Sequence, residues 1–143
     1  MSEAPFILRV ATPDDARKVS DVLAASYSAL YRGWYRDDVL AAALPAMTRA
    51  NPQLLSSGRY FLCERKQAAV ACGGWSRSPP QGNADQGRGH LRHFGTHPDH
   101  LSLGCASAII ERCFTEARAA GCTEMEVLSS LTAEAFYAGR GFK

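Results

Sequence analysis

The residues best suited to chemistry gather at one junction, GHLRHFGTHPDHLSLGCASAIIERC, running from Gly89 to Cys113. It reads as a strand stopped by Pro98, a short loop, and a helix that starts at Gly104. Amides of such a loop and first helical turn have no intrahelical acceptors and lie at the positive end of the helix dipole. That arrangement suits a phosphate or pyrophosphate. Gly104 lets backbone come close to a ligand, and the small Ala106 and Ser107 leave the approach open. An ordinary βα turn has the same composition, and both readings stand at this point. A second group lies upstream, where Tyr31, Trp34, Tyr35, Asp37 and Asp38 put aromatics and carboxylates within a few residues. Such a set can hold a cationic amine through ring faces and charge. Equally, the aspartates can cap a helix while the rings pack.

The elements that must position these groups follow from patterning. FILRVA reads as a strand, and Thr12, Pro13, Asp14 and Asp15 form a helix start. Ala16, Val19, Leu23, Tyr27 and Leu30 then recur at helical spacing as one apolar face. From Arg32 to Ser57 the pattern is helical but broken, with Pro45 expected to bend or end one segment and Asn51-Pro52 to start another. RYFLCER and AAVACGGWS read as a hairpin closed by Lys66-Gln67. A loop rich in Pro, Gly and Asn separates that hairpin from the strand of the junction. The helix from Gly104 to Ala120 carries Ala108, Ile109, Cys113, Phe114 and Ala117 on one face and ends at Gly121. TEMEVLSS reads as a strand and TAEAFYAGR as a short helix. The order is β-α-α-β-β-β-α-β-α, an α/β fold with helices on both faces of a mixed, mostly antiparallel sheet.

At 143 residues, 46% apolar and 21% charged, the chain has the composition of one folded domain, residues 1–143, not of a disordered segment. A net charge of +2 gives no footprint for nucleic acid. No run approaches the ~18 apolar residues of a membrane span. MSEAPFILRV lacks the basic start and apolar core of a secretory signal. Cys63, Cys72, Cys105, Cys113 and Cys122 show no metal-binding spacing and sit among apolar neighbours. They are expected to be reduced and buried in a cytoplasmic protein.

Two spaced motifs give a family resemblance. Pro98, Leu101, Gly104 and Ala106 are similar to P-x-x-[QR]-x-x-G-x-[GA], the coenzyme A motif of the GCN5-related N-acetyltransferases (GNAT). Ala133, Tyr137, Gly141 and Phe142 resemble that family's second signature, and the element order is the family's over residues 6 to 142. The resemblance implies acetyl-CoA as cosubstrate and direct acetyl transfer to a primary amine of a small molecule or protein. It places the cosubstrate against Phe94, Thr96, Leu101, Ser102, Leu103, Gly104, Cys105, Ala106, Ser107, Phe136 and Tyr137. The Phe94 N–H would stabilise the carbonyl oxygen, with Thr96 helping to hold the pantetheine arm like an added strand.

Tyr137 matches the family's general acid, since a phenol of pKa ~10 is protonated at neutral pH. It is also well suited to a packed core position. A base must relieve the amine of its proton, and His93 is chosen over His90, Glu64 and Glu126 on the flanking strands. Gly95 either marks a bulge that splays the strand or only relieves crowding. Tyr31, Trp34 and Tyr35 would border the acceptor, together with the loop from Pro79 to Asn83. Cys105 is expected to pack and not to react.

Two departures from the family pattern add expectations. Leu101 stands where Gln or Arg is usual, and Ser102 and Leu103 replace Gly and Arg, which weakens the pyrophosphate contact. The family's C-terminal strands do not follow Gly141-Phe142 in this sequence, so a homodimer covering an open edge is expected. A non-catalytic module that binds coenzyme A weakly, or binds a protein partner, is the alternative.

Overall fold

The computed structural model describes residues 6–31, 36–77, 88–100 and 104–126. Five strands, β1 (Ile7–Val10), β2 (Tyr60–Arg65), β3 (Ala68–Ser76), β4 (Arg88–Thr96) and β5 (Glu124–Glu126), form one sheet in sequence order. The first four pair antiparallel and β5 joins β4 in parallel. Lys66 and Gln67 both take positive φ, 52° and 69°, as the tight turn between β2 and β3 demands.

Helix α1 (Ala16–Tyr31) follows a 3-10 turn over Pro13–Asp15. The Asp15 carboxylate accepts from the Thr12 N–H at 2.8 Å, closing the helix start that the sequence pattern implied. Ala16 lies exposed, so the buried face of α1 is Val19, Val22, Leu23 and Ser26. Helix α2 (Asp37–Met47) contains Pro45 and continues two residues past it. The ring deprives the Ala41 carbonyl of its helical donor, and Ala41 is exposed to solvent that can replace it. The Thr48 N–H and hydroxyl then close the last turn on the Leu44 carbonyl, at 2.9 and 2.8 Å. Helix α3 (Pro52–Ser56) is capped as expected, with Asn51 Oδ1 accepting from the Gln53 N–H at 2.9 Å.

The sheet has a core on each face. Strand β2 shows why: Tyr60 and Leu62 pack with Val19, Val22, Leu23, Leu54 and Leu55, while Phe61 and Cys63 face helix α4 (Cys105–Ala119). On α4 the buried set is Cys105, Ile109, Ile110, Cys113 and Ala117, with Ala108 and Phe114 only half-buried. Gly121 ends the helix at φ 91°, where its amide donates to the Arg118 carbonyl at 3.1 Å. Because both faces are covered, β3 reads as a nearly unbroken apolar run. Each large side chain fully buried there contributes about 1.5–3 kcal/mol. All five cysteines are buried and free. The expected helix in TAEAFYAGR and the end of TEMEVLSS lie outside the described residues.

Candidate functional site

Strand β4 breaks its register at one point. Arg92 pairs with Gly74 and Gly95 with Cys72, so His93 and Phe94 together face Gly73. This is a bulge, with one extra residue on β4. His93 holds φ 57°, a region costly for most side chains though less rare for histidine. Of the two readings of Gly95, the structure gives the second. Gly95 lies in regular register, and a Cβ there would stand 3.0 Å from Leu23 Cδ2 and 3.4 Å from Ser26 Cβ. The bulge exists, but His93 carries it.

Three hydroxyl groups hold this stretch. The Tyr60 hydroxyl donates to the His93 carbonyl at 2.6 Å, and the Tyr27 hydroxyl donates to the Phe94 carbonyl at 3.1 Å. Ser26 Oγ accepts from the Thr96 N–H at 3.1 Å. Two glycines on β3 make room. A Cβ on Gly73 would lie 2.5 Å from the Phe94 ring, and one on Gly74 would lie 2.8 Å from the Tyr60 ring. Successive residues face opposite sides, so Gly73 clears space for Phe94 on the α4 face and Gly74 for Tyr60 on the α1 face. Sequence reasoning missed Ser26 and Tyr60, and took Tyr27 only as a member of an apolar face. The available signals were the Gly73-Gly74 doublet and a serine at a position that packing alone would give to an aliphatic residue.

Beyond β4, Pro98–His100 forms a 3-10 turn, with the Asp99 N–H donating to His97 Nδ1 at 3.1 Å. Gly104 opens α4 at φ 81°, and among the described residues a Cβ there would meet nothing within 4 Å. The glycine suits its backbone angle, which other residues adopt only at a cost. No acidic side chain lies in the first turn of α4, and Ala106 and Ser107 are half-buried. The first-turn amides, at the positive end of the dipole, are therefore not opposed by a carboxylate of their own turn. Cys105 is buried, its carbonyl accepts from Cys63 Sγ at 3.8 Å, and burial pushes its thiol up. Burial likewise raises Cys63 and Cys72 to about 12. These thiols are protonated and packed, which removes the chemical basis for a cysteine nucleophile.

Among the residues weighed as bases, Glu64 is bound to Arg9 Nε at 2.6 Å and to Lys18 Nζ at 3.0 Å. The Arg9 hydrogen bond pulls its carboxyl below the usual range, with Lys18 adding to it, so it is an ionised member of a salt-bridge network. His90 is buried, and the His93 ring is half-buried with its centroid 6.3 Å from that of Tyr27. The structure brings His93, Phe94 and Thr96 onto one bulged stretch. Gly104, Cys105, Ala106 and Ser107 lie together at the start of α4. Leu101, Ser102, Leu103, Trp34, Tyr35, Ala133, Phe136, Tyr137, Gly141, Phe142 and the loop from Pro79 to Asn83 lie outside the described residues, as do the side chains of Tyr31 and Glu126.

The model of the acetyltransferase (GNAT) family matches residues 23–142, a span that takes in the bulge, the Gly104 turn and α4. The chain belongs to the GNAT acetyltransferase family. Solved GNAT structures share its fold. The PaiA N-acetyltransferase of Thermoplasma acidophilum, in complex with coenzyme A, superposes with a TM-score of 0.77 at 13% identity over 100% of this chain and 91% of that one. A GCN5-related N-acetyltransferase from Rhodopseudomonas palustris gives 0.77 at 21% identity, over 98% and 82%. A GNAT acetyltransferase from Brucella melitensis, in complex with acetyl-CoA, gives 0.65 at 19% identity, over 99% and 84%. A search of curated proteins finds no match. Among the described residues of this GNAT chain, no helix is long and apolar enough to cross a membrane.

Proposed function

We propose that this chain is an acetyl-CoA-dependent N-acetyltransferase that moves the acetyl group directly to a primary amine of a small molecule or protein. The observation that carries the reading is the family match across residues 23–142, which includes the bulged β4 and the Gly104 helix start. Those features fit the cosubstrate. First-turn amides of α4 with no acidic neighbour on that turn suit its pyrophosphate. The Phe94 N–H, on the bulge, is the donor for the thioester carbonyl oxygen as that atom gains charge. With Leu101 in place of Gln or Arg, the phosphates are held by backbone more than by side-chain charge.

In this reading the neutral amine attacks the thioester carbonyl carbon. A C–N bond forms, the C–S bond breaks, and Tyr137 supplies the proton that the departing sulfur takes up. The proton lost from the amine goes to His93, directly or through water. Tyr31, Trp34 and Tyr35 border the acceptor, where ring faces favour a cationic amine. Buried, free cysteines suit a reducing, cytoplasmic setting.

Calorimetric titration with acetyl-CoA, with adenosine diphosphate as the control, tests the first half. Micromolar binding that requires the pantetheine arm is the expected result. No heat at millimolar acetyl-CoA overturns the reading and leaves a GNAT-fold module with another partner. Tyr137→Phe is expected to lower kcat on the order of a hundredfold while acetyl-CoA affinity stays unchanged. An unchanged kcat removes Tyr137 from the mechanism.

A further inference from the structure

The three hydroxyl contacts on β4 fall on consecutive peptide units. No cis peptide is present among the described residues, and a planar trans unit points its C=O opposite to the N–H of the residue that follows. Tyr60, on the His93 carbonyl, therefore fixes the unit whose N–H belongs to Phe94. Tyr27, on the Phe94 carbonyl, fixes the unit whose N–H belongs to Gly95. Ser26, which accepts from the Thr96 N–H, fixes the unit whose carbonyl belongs to Gly95.

Of the three, Tyr60 is held most firmly. It is 1% exposed and makes the shortest of these bonds, at 2.6 Å. Its backbone is bound on both sides, pairing with Gly74 and accepting from the Ala11 N–H at 2.8 Å. Its ring fills the slot that Gly74 leaves open. The carbonyl it holds belongs to His93, the one residue of β4 at positive φ. A hydrogen bond at that point offsets strain that would otherwise favour a different peptide orientation.

We infer that Tyr60 is a positioning residue for acyl transfer, its buried hydroxyl orienting the Phe94 amide through the rigid peptide unit it shares with the His93 carbonyl. This rests on the proposed reading, in which that amide meets the acyl oxygen. Donors of this kind work only when aimed beforehand, so a small rotation of the unit costs rate more than affinity.

The test is Tyr60→Phe, which keeps the ring and removes the donor. Expected in turnover is a fall in kcat of about tenfold or more, with KM for acetyl-CoA within about twofold. Expected in the acetyl-CoA-free protein are shifts of the His93 ¹³C′ and Phe94 amide resonances and faster exchange of the Phe94 amide. Tyr27→Phe should move the Gly95 amide more than that of Phe94. Unchanged Phe94 resonances, an unchanged kcat, or a larger effect of Tyr27→Phe on the Phe94 amide overturns the inference. If the unsubstituted protein neither binds nor turns over acetyl-CoA, the proposed function falls, and the resonances alone decide whether Tyr60 orients this amide. Should Tyr60→Phe fail to fold, the unsubstituted protein must show a slowly exchanging Tyr60 hydroxyl proton close to His93 and Phe94. Its absence overturns the inference.

Discussion

Two residues at positive φ flank the β4–α4 junction, and they are kept there by opposite means. His93, at φ 57°, bears a side chain in a costly conformation and is tied by a buried tyrosine hydroxyl to its own carbonyl. Gly104, at φ 81°, bears none, and among the described residues nothing stands within 4 Å of where a Cβ would be. In the proposed reading the first aims a single amide at the reacting carbonyl, and the second shapes a turn for a diffuse double anion. A single oriented donor needs a fixed frame, whereas several amides at a helix start share the charge and tolerate small displacements. The difference teaches where rigidity is concentrated in this fold.

The severest way to break the contrast is Gly74→Ala. The new Cβ would stand 2.3 Å from the Arg59 carbonyl and 2.7 Å from the Tyr60 Cα, both backbone atoms that cannot swing aside. It would also press on the Tyr60 ring, which must pass there to reach His93. Overpacking of this kind costs about 3 kcal/mol. Urea unfolding should show that loss, and a loss below about 1 kcal/mol would mean that the Tyr60 slot is soft.

A milder pair sharpens the same contrast. Gly104→Ala should destabilise by about 1–2 kcal/mol from its positive-φ backbone, since among the described residues nothing stands in the methyl group's way. His93→Gly should change stability by less than about 1 kcal/mol, because strain released is offset by the greater freedom of glycine in the unfolded chain. A His93→Gly cost well above that would show that the imidazole itself, and not only its backbone, braces the bulge.

The sequence made the β4–α4 turn legible because glycine, proline and small residues punctuate it within seven positions, from Pro98 to Gly104. It made the hairpin and α1 legible because their periods and caps are local. The bulge was half legible. Gly95 drew attention as the only glycine near the right place, yet bulging requires knowledge of the partner strand, and the glycine that accommodates Phe94 is Gly73, on β3. The hydroxyl contacts were not legible at all. Ser26 and Tyr27 lie 70 and 67 positions from their partners Thr96 and Phe94, and Tyr60 lies 33 from His93. No local pattern encodes a hydrogen bond across that separation. Pro45 carries a local signal to bend or end its helix, and of the two it does not end it: the helix runs on to Met47, and the residue whose carbonyl loses its donor, Ala41, is exposed.

The smallest effect concerns pH. The Tyr60 contact at the bulge does not titrate through acid or neutral solution, since burial pushes its phenol well above the ordinary 10.0. At the other end of α1 the ties are ionic. Asp15 accepts from both terminal nitrogens of Arg9, at 2.9 and 2.8 Å, and Arg9 also holds Glu64. The Arg9 hydrogen bonds pull the Asp15 carboxyl from its ordinary 3.8 down to about 2. A depressed folded-state value contributes stability that is present above the unfolded value and is lost as pH falls through the folded one. The Asp15–Arg9 pair should therefore stabilise fully at neutral pH and fade between about pH 4 and pH 2. Arg9 is 34% exposed, so solvent screening reduces its worth to about 1 kcal/mol. Asp15→Asn should cost that much at neutral pH and nearly nothing at the acid limit, as read from urea unfolding across the range. The Tyr60→Phe penalty should stay level over the same titration. If instead the Asp15→Asn penalty stays level and that of Tyr60→Phe fades, the assignment of ionic ties to one end of α1 and neutral ties to the other is wrong.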